Sequence, residues 1–225
     1  MRALLNIDLG ELADEPAELY ALADVANVAC GGHAGDDASM RAAVALALRH
    51  GTALAAHPSY EDRARFGRVS IDVAPAALRE MVRAQCASLA RLAAPNVVLR
   101  MKPHGALYHD ASRSRAIAEA VVDGAIAALD EVAIVGPPSG ALADASRARG
   151  RPYVREGFAD RAYLPDGTLV PRAQAGASIG DPAVAAAQAV RLAREGVDTI
   201  CVHGDGPNAV AIARAVHLAL AALRE

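Results

Sequence analysis

Seven short apolar runs alternate with alanine-rich, helix-compatible segments along the chain, and this alternation narrows the fold more than any other feature of the sequence. The runs cover residues 3–11, 25–35, 52–60, 97–108, 132–136, 153–163 and 199–206. Helices are expected over residues 16–23, 36–51, 74–93, 112–129, a short stretch ending at Gly150, then 182–196 and 207–223. Pro16 suits a first turn, Glu15 and Glu18 suit the positive end of that helix dipole, Asp36 is a cap and Gly51 a stop. A strand and its helix average roughly 32 residues, the size of a βαβ unit. Strands joined by such crossovers run parallel. After the sixth run, Asp166-Gly167 flanked by apolar residues predicts a small hairpin over 164–172 that can act as a lid.

The polar residues decide between an open sheet and a closed one. An open, doubly wound sheet concentrates its site at one switch point, whereas a barrel gathers the ends of many strands at one mouth. Six of the seven runs end in polar or ionisable groups. Successive strand side chains point to opposite faces. Asn6, Asp8 and Gly10 therefore share a face, as do Asn27, Ala29, Gly31 and His33, or Ala53, Ala55, His57 and Ser59. The sixth run gives Glu156, Phe158 and Asp160 with Arg161 just beyond, and the seventh gives Cys201, His203 and Asp205. The fourth run puts Val97, Leu99 and Met101 on an apolar face and Arg100, Lys102 and His104 on the other, with Pro103 holding Lys102 in extended geometry. The expectation is an α/β fold: a (β/α) barrel of about seven parallel strands in a single domain, residues 1–225.

Composition sets limits on partners. The chain has 225 residues, long enough for a sizeable core; it is 53% hydrophobic but only 3% aromatic and lacks Trp, so that core must be Ala, Val, Leu and Ile. A net charge of -3 gives no electrostatic case for nucleic acid or an anionic membrane, and a small soluble ligand is the default. With no leader-like or membrane-length apolar segment, a cytoplasmic protein is expected. Cys30, Cys86 and Cys201 form no Cys-x-x-Cys pair and read as buried reduced thiols.

At the mouth, Asp8, Glu156, Asp160 and Asp205 can act as bases or hold a cation, and His33, His57, His104 and His203 can carry protons. Lys102 and Arg161 can neutralise charge developing on a carbonyl or phosphoryl oxygen. His50, His109 and His217 read as ordinary helix-associated imidazoles. Walker, Gly-x-Ser-x-Gly and His-Glu-x-x-His patterns are absent. Asp8, His33 and His57 are the candidates if a protein-bound metal is present.

Six ordered motifs carry a family resemblance: Asn6-Ile7-Asp8-Leu9-Gly10-Glu11; residues 27–36 with Cys30-Gly31-Gly32-His33; His57-Pro58-Ser59-Tyr60 followed by Phe66-Gly67-Arg68; Lys102-Pro103-His104-Gly105; Phe158-Ala159-Asp160-Arg161; and Cys201-Val202-His203-Gly204-Asp205. They resemble the LamB/YcsF family over nearly the whole chain, with departures at Ile7, Gly32, Glu61, Arg65 and Gly206 and a shorter segment between Glu11 and Val25. The resemblance implies a barrel of the glycoside hydrolase and deacetylase type. It also implies the A component of an ATP-dependent 5-oxoprolinase, which opens the lactam of 5-oxoproline to glutamate with two partner subunits, B and C, and ATP accompanied by Mg2+. On that basis Asp8, His57, Lys102, His104, Asp160, Arg161, His203 and Asp205 are expected to be catalytic, and Asn27, His33, Tyr60, Arg68 and Glu156 to bind substrate. Two alternatives are a stand-alone metal-dependent deacetylase or amidase, whose His-x-x-x-His spacing this chain lacks, and a non-catalytic 5-oxoproline-binding subunit.

Overall fold

The computed structural model describes residues 3–206 and 208–223. Seven strands, β1 (Leu4–Leu9), β2 (Val25–Ala29), β3 (Ala53–His57), β4 (Arg100–Met101), β5 (Ala133–Gly136), β6 (Tyr153–Phe158) and β7 (Thr199–His203), close into a barrel in chain order. All seven pairings are parallel. β7 returns to β1, with Asp8 opposite His203, while Asp8 also lies opposite Asn27 on β2. Register alone therefore brings three polar side chains to one rim.

The helices are α1 (Glu18–Leu22), α2 (Asp37–His50), α3 (Pro75–Ala93), α4 (Gly105–Arg113), α5 (Arg115–Ala128), α6 (Ala141–Ala148), α7 (Pro182–Arg194) and α8 (Ala209–Ala222). The expected cap and stop are present on α2. Asp36 accepts the Ser39 N–H at 2.8 Å, and Gly51 takes a left-handed φ of 71°. Small residues let the helices approach closely. A Cβ on Gly124 of α5 would meet the Arg79 carbonyl oxygen of α3 at 2.5 Å. Among the described residues no helix is long and apolar enough to cross a membrane. The three cysteines are free and buried.

Three expectations change. The fourth run is not a buried strand throughout: Val97 and Leu99 are 67% and 51% exposed, and only Arg100 and Met101 are strand. An apolar run specifies hydrophobicity but not the point at which the chain enters the sheet. Pro103, which has no N–H, then interrupts the ladder, yet its neighbours continue it: Lys102 N–H donates to the Ala56 carbonyl at 2.9 Å and His104 N–H to the Pro58 carbonyl at 2.8 Å. The expected helix over 112–129 is two helices, because Ser114 adopts extended backbone and caps α5. Glu15 does not sit at the start of α1. It folds back to accept the Gly10 N–H at 2.8 Å and the Tyr20 hydroxyl at 2.7 Å.

The hairpin after β6 is present in outline, with Tyr163 bridged antiparallel to Leu169 and Leu164 N–H donating to the Thr168 carbonyl at 2.7 Å. The lower barrel is plugged. Asn6, Asn27, Arg100 and Thr199 help to line a small cavity of about 10 Å³ there.

Candidate active site

The carboxyl ends of the strands hold two adjoining groups of ionisable side chains. In the first, Lys102 is buried, and its ammonium lies 2.8 Å from Asp8 Oδ1, 3.0 Å from Cys201 Sγ, 3.4 Å from Asn6 Oδ1 and 3.1 Å from Glu156 Oε1. The amide ladder beneath fixes the acceptors. Asn27 Nδ2 donates to Asp8 Oδ1 at 2.8 Å and to Asn6 Oδ1 at 2.7 Å, and Asn6 Nδ2 donates to Thr199 Oγ1 at 2.8 Å.

Burial would neutralise such a group, and pairing prevents it. Burial disfavours the Lys102 ammonium, but Asp8, Cys201 and Glu156 hold its pKa well above the ordinary value. Burial likewise pushes Asp8 up, while His57 and Lys102 more than reverse the effect and keep it well below the usual carboxylate range. For Glu156 burial prevails over Lys102 and its pKa rises. The ion pair with Lys102 is off the line of a hydrogen bond. Among the described residues neither Glu156 carboxylate oxygen nor the buried Tyr108 hydroxyl makes a well-aligned hydrogen bond, although Lys102 and Tyr108 both lie beside the carboxylate.

His203 stands at the edge of this group. Its Nδ1 and backbone N–H each lie 2.9 Å from Asp160 Oδ2, and its Nε2 accepts from Arg172 of the hairpin segment at 2.7 Å. Burial raises Asp160, and the His203 contacts more than compensate and lower it.

The second group surrounds Glu11. Its Oε1 is 2.9 Å from His33 Nε2, 3.3 Å from His104 Nδ1 and 3.9 Å from His57 Nε2, and the last two nitrogens are 3.0 Å apart. Burial pushes Glu11 up, and His104 and His33 bring it far below its ordinary value. Burial lowers His33, and lowers His104 to about 3.

Sequence reasoning placed Asp8, His57, Lys102, His104, Asp160, His203, Asn27, His33 and Glu156 at the mouth, and the structure brings all nine there. Four others sit differently. Asp205 pairs with Arg68, whose guanidinium lies 4.6 Å from the Phe66 ring centre, and together they bridge the β3 and β7 loops over the mouth. Arg161 donates to the carbonyls of Ala177 at 3.1 Å and Val170 at 2.7 Å, so it anchors the hairpin segment. Tyr60 is buried in the core and ties the β3 loop to α4 through Asp110 at 3.0 Å. The expected metal trio of Asp8, His33 and His57 is not brought together. Among the described residues, donor atoms within 4.8 Å of one another fall into one group of Glu11, His33, His57 and His104 and another of Asp8, Cys201 and His203.

Glu11 was missed as a site residue because strict alternation turns it away from Asp8. Gly10, at φ 73°, breaks the alternation and swings Glu11 into the mouth. Cys201 was read as an inert thiol, yet it accepts from Lys102. A glycine directly before an acidic residue at a strand end was the available signal for the first; strand alternation, which puts Cys201 on the face of His203, was the signal for the second.

The sequence model of the LamB/YcsF family matches residues 4–224. The chain belongs to the LamB/YcsF family. A LamB/YcsF relative from Methylococcus capsulatus (strain ATCC 33009 / NCIMB 11132 / Bath), named as the A subunit of 5-oxoprolinase, is 44% identical over 97% of this chain and 92% of its own length. Its name marks that relative as one component of a larger assembly. The crystal structure of a lactam utilization protein from Thermus thermophilus is 35% identical and superposes with a TM-score of 0.91, covering 100% of this chain and 98% of the other. A family 4 carbohydrate esterase from Streptomyces lividans, 14% identical with a TM-score of 0.52 over 99% of this chain and 88% of its own, shares the fold alone. The expected barrel of seven parallel strands is thus the observed one.

Proposed function

We propose that this LamB/YcsF chain is the lactam-binding A component of an ATP-dependent 5-oxoprolinase, converting 5-oxoproline to glutamate with two partner subunits, B and C. The observation that carries the reading is the buried Lys102 ammonium beside a Glu156 carboxylate and a Tyr108 hydroxyl that make no well-aligned hydrogen bond among the described residues. Buried polar groups are normally paired, and unpaired ones next to a fixed cation fit a small polar ligand with its own donors and acceptors. The lactam N–H would go to Glu156, and its carbonyl oxygen to Lys102 and Tyr108.

Amide resonance makes a lactam carbonyl a poor electrophile. ATP, with Mg2+, would supply the phosphoryl group that activates the carbonyl oxygen; water attack with cleavage of the ring C–N bond would leave an acyl phosphate, and a second water would release phosphate and glutamate. This chain, lacking a Walker loop, would leave most of the nucleotide binding to its partners. Lys102 stabilises the charge on the lactam or phosphoryl oxygen. Asp8 holds the ammonium in place. His203 keeps a bare Nε2 because its Nδ1–H is engaged by Asp160, so it can take a proton from the attacking water and return it to the ring nitrogen. His57 and His104 face Glu11 rather than the lysine group, and their proton-carrying role is secondary in this reading. Entry requires Arg68 to part from Asp205 and the Arg172 hairpin to lift from His203.

The test is reconstitution with both partner subunits. Lys102→Met should lower 5-oxoproline-dependent glutamate formation and ATP hydrolysis by at least about 100-fold; undiminished turnover refutes the role. If the isolated chain opens the lactam or removes acetyl groups without ATP, the stand-alone amidase replaces this reading. If the chain binds 5-oxoproline and Lys102, Glu156 and His203 variants all turn over normally in the complex, it only presents the substrate.

A further inference from the structure

His57 and His104 are held in defined tautomers by groups that can only accept. His57 Nδ1 lies 2.8 Å from the Lys102 carbonyl oxygen, and His104 Nε2 lies 3.0 Å from the Phe66 carbonyl oxygen. Each of these nitrogens must therefore carry the hydrogen. In neutral rings the other two nitrogens, His57 Nε2 and His104 Nδ1, are bare, and they face each other at 3.0 Å. Around them stand Glu11 Oε1, at 3.9 and 3.3 Å, and Asp8 Oδ2, 3.5 Å from His57 Nε2. Lone pairs and carboxylates converge on one buried point, and among the described residues the donor that reaches it is His33 Nε2, bonded to Glu11 Oε1.

We propose that His57 Nε2, His104 Nδ1 and the Glu11 carboxylate hold a divalent transition-metal ion at the barrel mouth. Their separations of 3.0, 3.3 and 3.9 Å bracket the edge of about 3.3 Å of a tetrahedron with bonds of about 2.0–2.1 Å. The two rings stand at 89° to each other, so both in-plane lone pairs can meet at one ion. His33 is excluded from the ligand set. Its ring is stacked on His104 at 3.6 Å and 1°, and parallel planes cannot aim two lone pairs at a single centre. Instead it donates Nε2–H to Glu11 Oε1 at 2.9 Å and orients the carboxylate, as the Phe66 and Lys102 carbonyls orient the imidazoles. Two imidazoles and one carboxylate favour zinc or another later first-row ion over magnesium or calcium. The neighbouring donors, Asp8, Cys201 and His203, carry no such inference, because the Lys102 ammonium already bonds two of them.

The metal site does not depend on the lactam reading, and its test uses neither substrate, ATP nor partners. Tag-free full-length protein is stripped with a chelator, titrated with Zn2+ or Co2+, dialysed and analysed for metal. One equivalent should remain, with Co2+ giving visible d–d absorption of low-symmetry coordination. Glu11→Gln and His57→Ala should lose the equivalent, whereas His33→Gln should keep it with about 10–100-fold weaker affinity. Circular dichroism establishes that each variant is folded. If the folded wild-type protein retains no stoichiometric metal, the proton of an imidazolium fills the gap and the proposal is overturned. Retention unchanged in both Glu11→Gln and His57→Ala overturns it equally.

Discussion

Two groups of charges meet at the mouth of this barrel, 3.5 Å apart at His57 and Asp8, and they are balanced differently. On the lysine side the protein supplies its own cation: Lys102 lies within 3.1 Å of two carboxylates, and an amide ladder fixes the geometry below. On the histidine side Glu11 faces three imidazoles, two of which turn lone pairs inward. The first group is complete as a charge system and incomplete in hydrogen bonds. The second is the reverse, with its outer nitrogens bonded to carbonyls and its centre rich in acceptors. On the readings proposed above, the lysine side would take a polar ligand and the histidine side a positive ion.

Charge removal should separate the two sides most strongly at Lys102. Lys102→Met strands Asp8 and Glu156 in the interior and should reduce unfolding free energy by about 3–5 kcal/mol in urea titrations. Adding Asp8→Asn should recover about 1 kcal/mol or more, since the stranded charge is partly removed. A loss below about 1 kcal/mol for Lys102→Met would break the contrast. An intermediate effect is expected at Glu11. With chelator present, Glu11→Gln exchanges a buried carboxylate for a neutral isostere and should shift stability by no more than about 1–2 kcal/mol, because the weaker hydrogen bond accepted from His33 is offset by a smaller desolvation cost. A cost equal to that of Lys102→Met would mean that the histidine side already carries its own full positive charge. The smallest stability effect belongs to Arg68→Ala. That half-exposed pair with Asp205 should contribute less than about 1 kcal/mol, while its loss should change KM for 5-oxoproline in the reconstituted complex more than kcat.

Much of this arrangement was legible before any coordinates. Strand alternation placed Asp8, Asn27, His57, Lys102 and His203 on inward faces, because a period of two is dictated by the backbone itself. The same rule failed where the backbone departed from it: at Glu11, beyond a left-handed glycine, and at Asp205, which sits in a loop whose path depends on its contact with Arg68 across the mouth. Val97 and Leu99 misled for a different reason. Hydrophobicity reports a preference for burial, and an edge of the barrel can leave that preference unmet. Arg161 shows that a buried cation next to a candidate acid can be taken up by backbone carbonyls, a choice set by the fold of the hairpin segment.

Gly10 connects the two sides through a single strand end. Two residues before it is Asp8, held against the lysine; one residue after it is Glu11, delivered to the histidines. Any side chain at position 10 must accept φ 73° or unwind the turn, and unwinding would withdraw both acids together. The two halves of the pocket therefore hang from one strand end, so a side chain at this single position would disturb both.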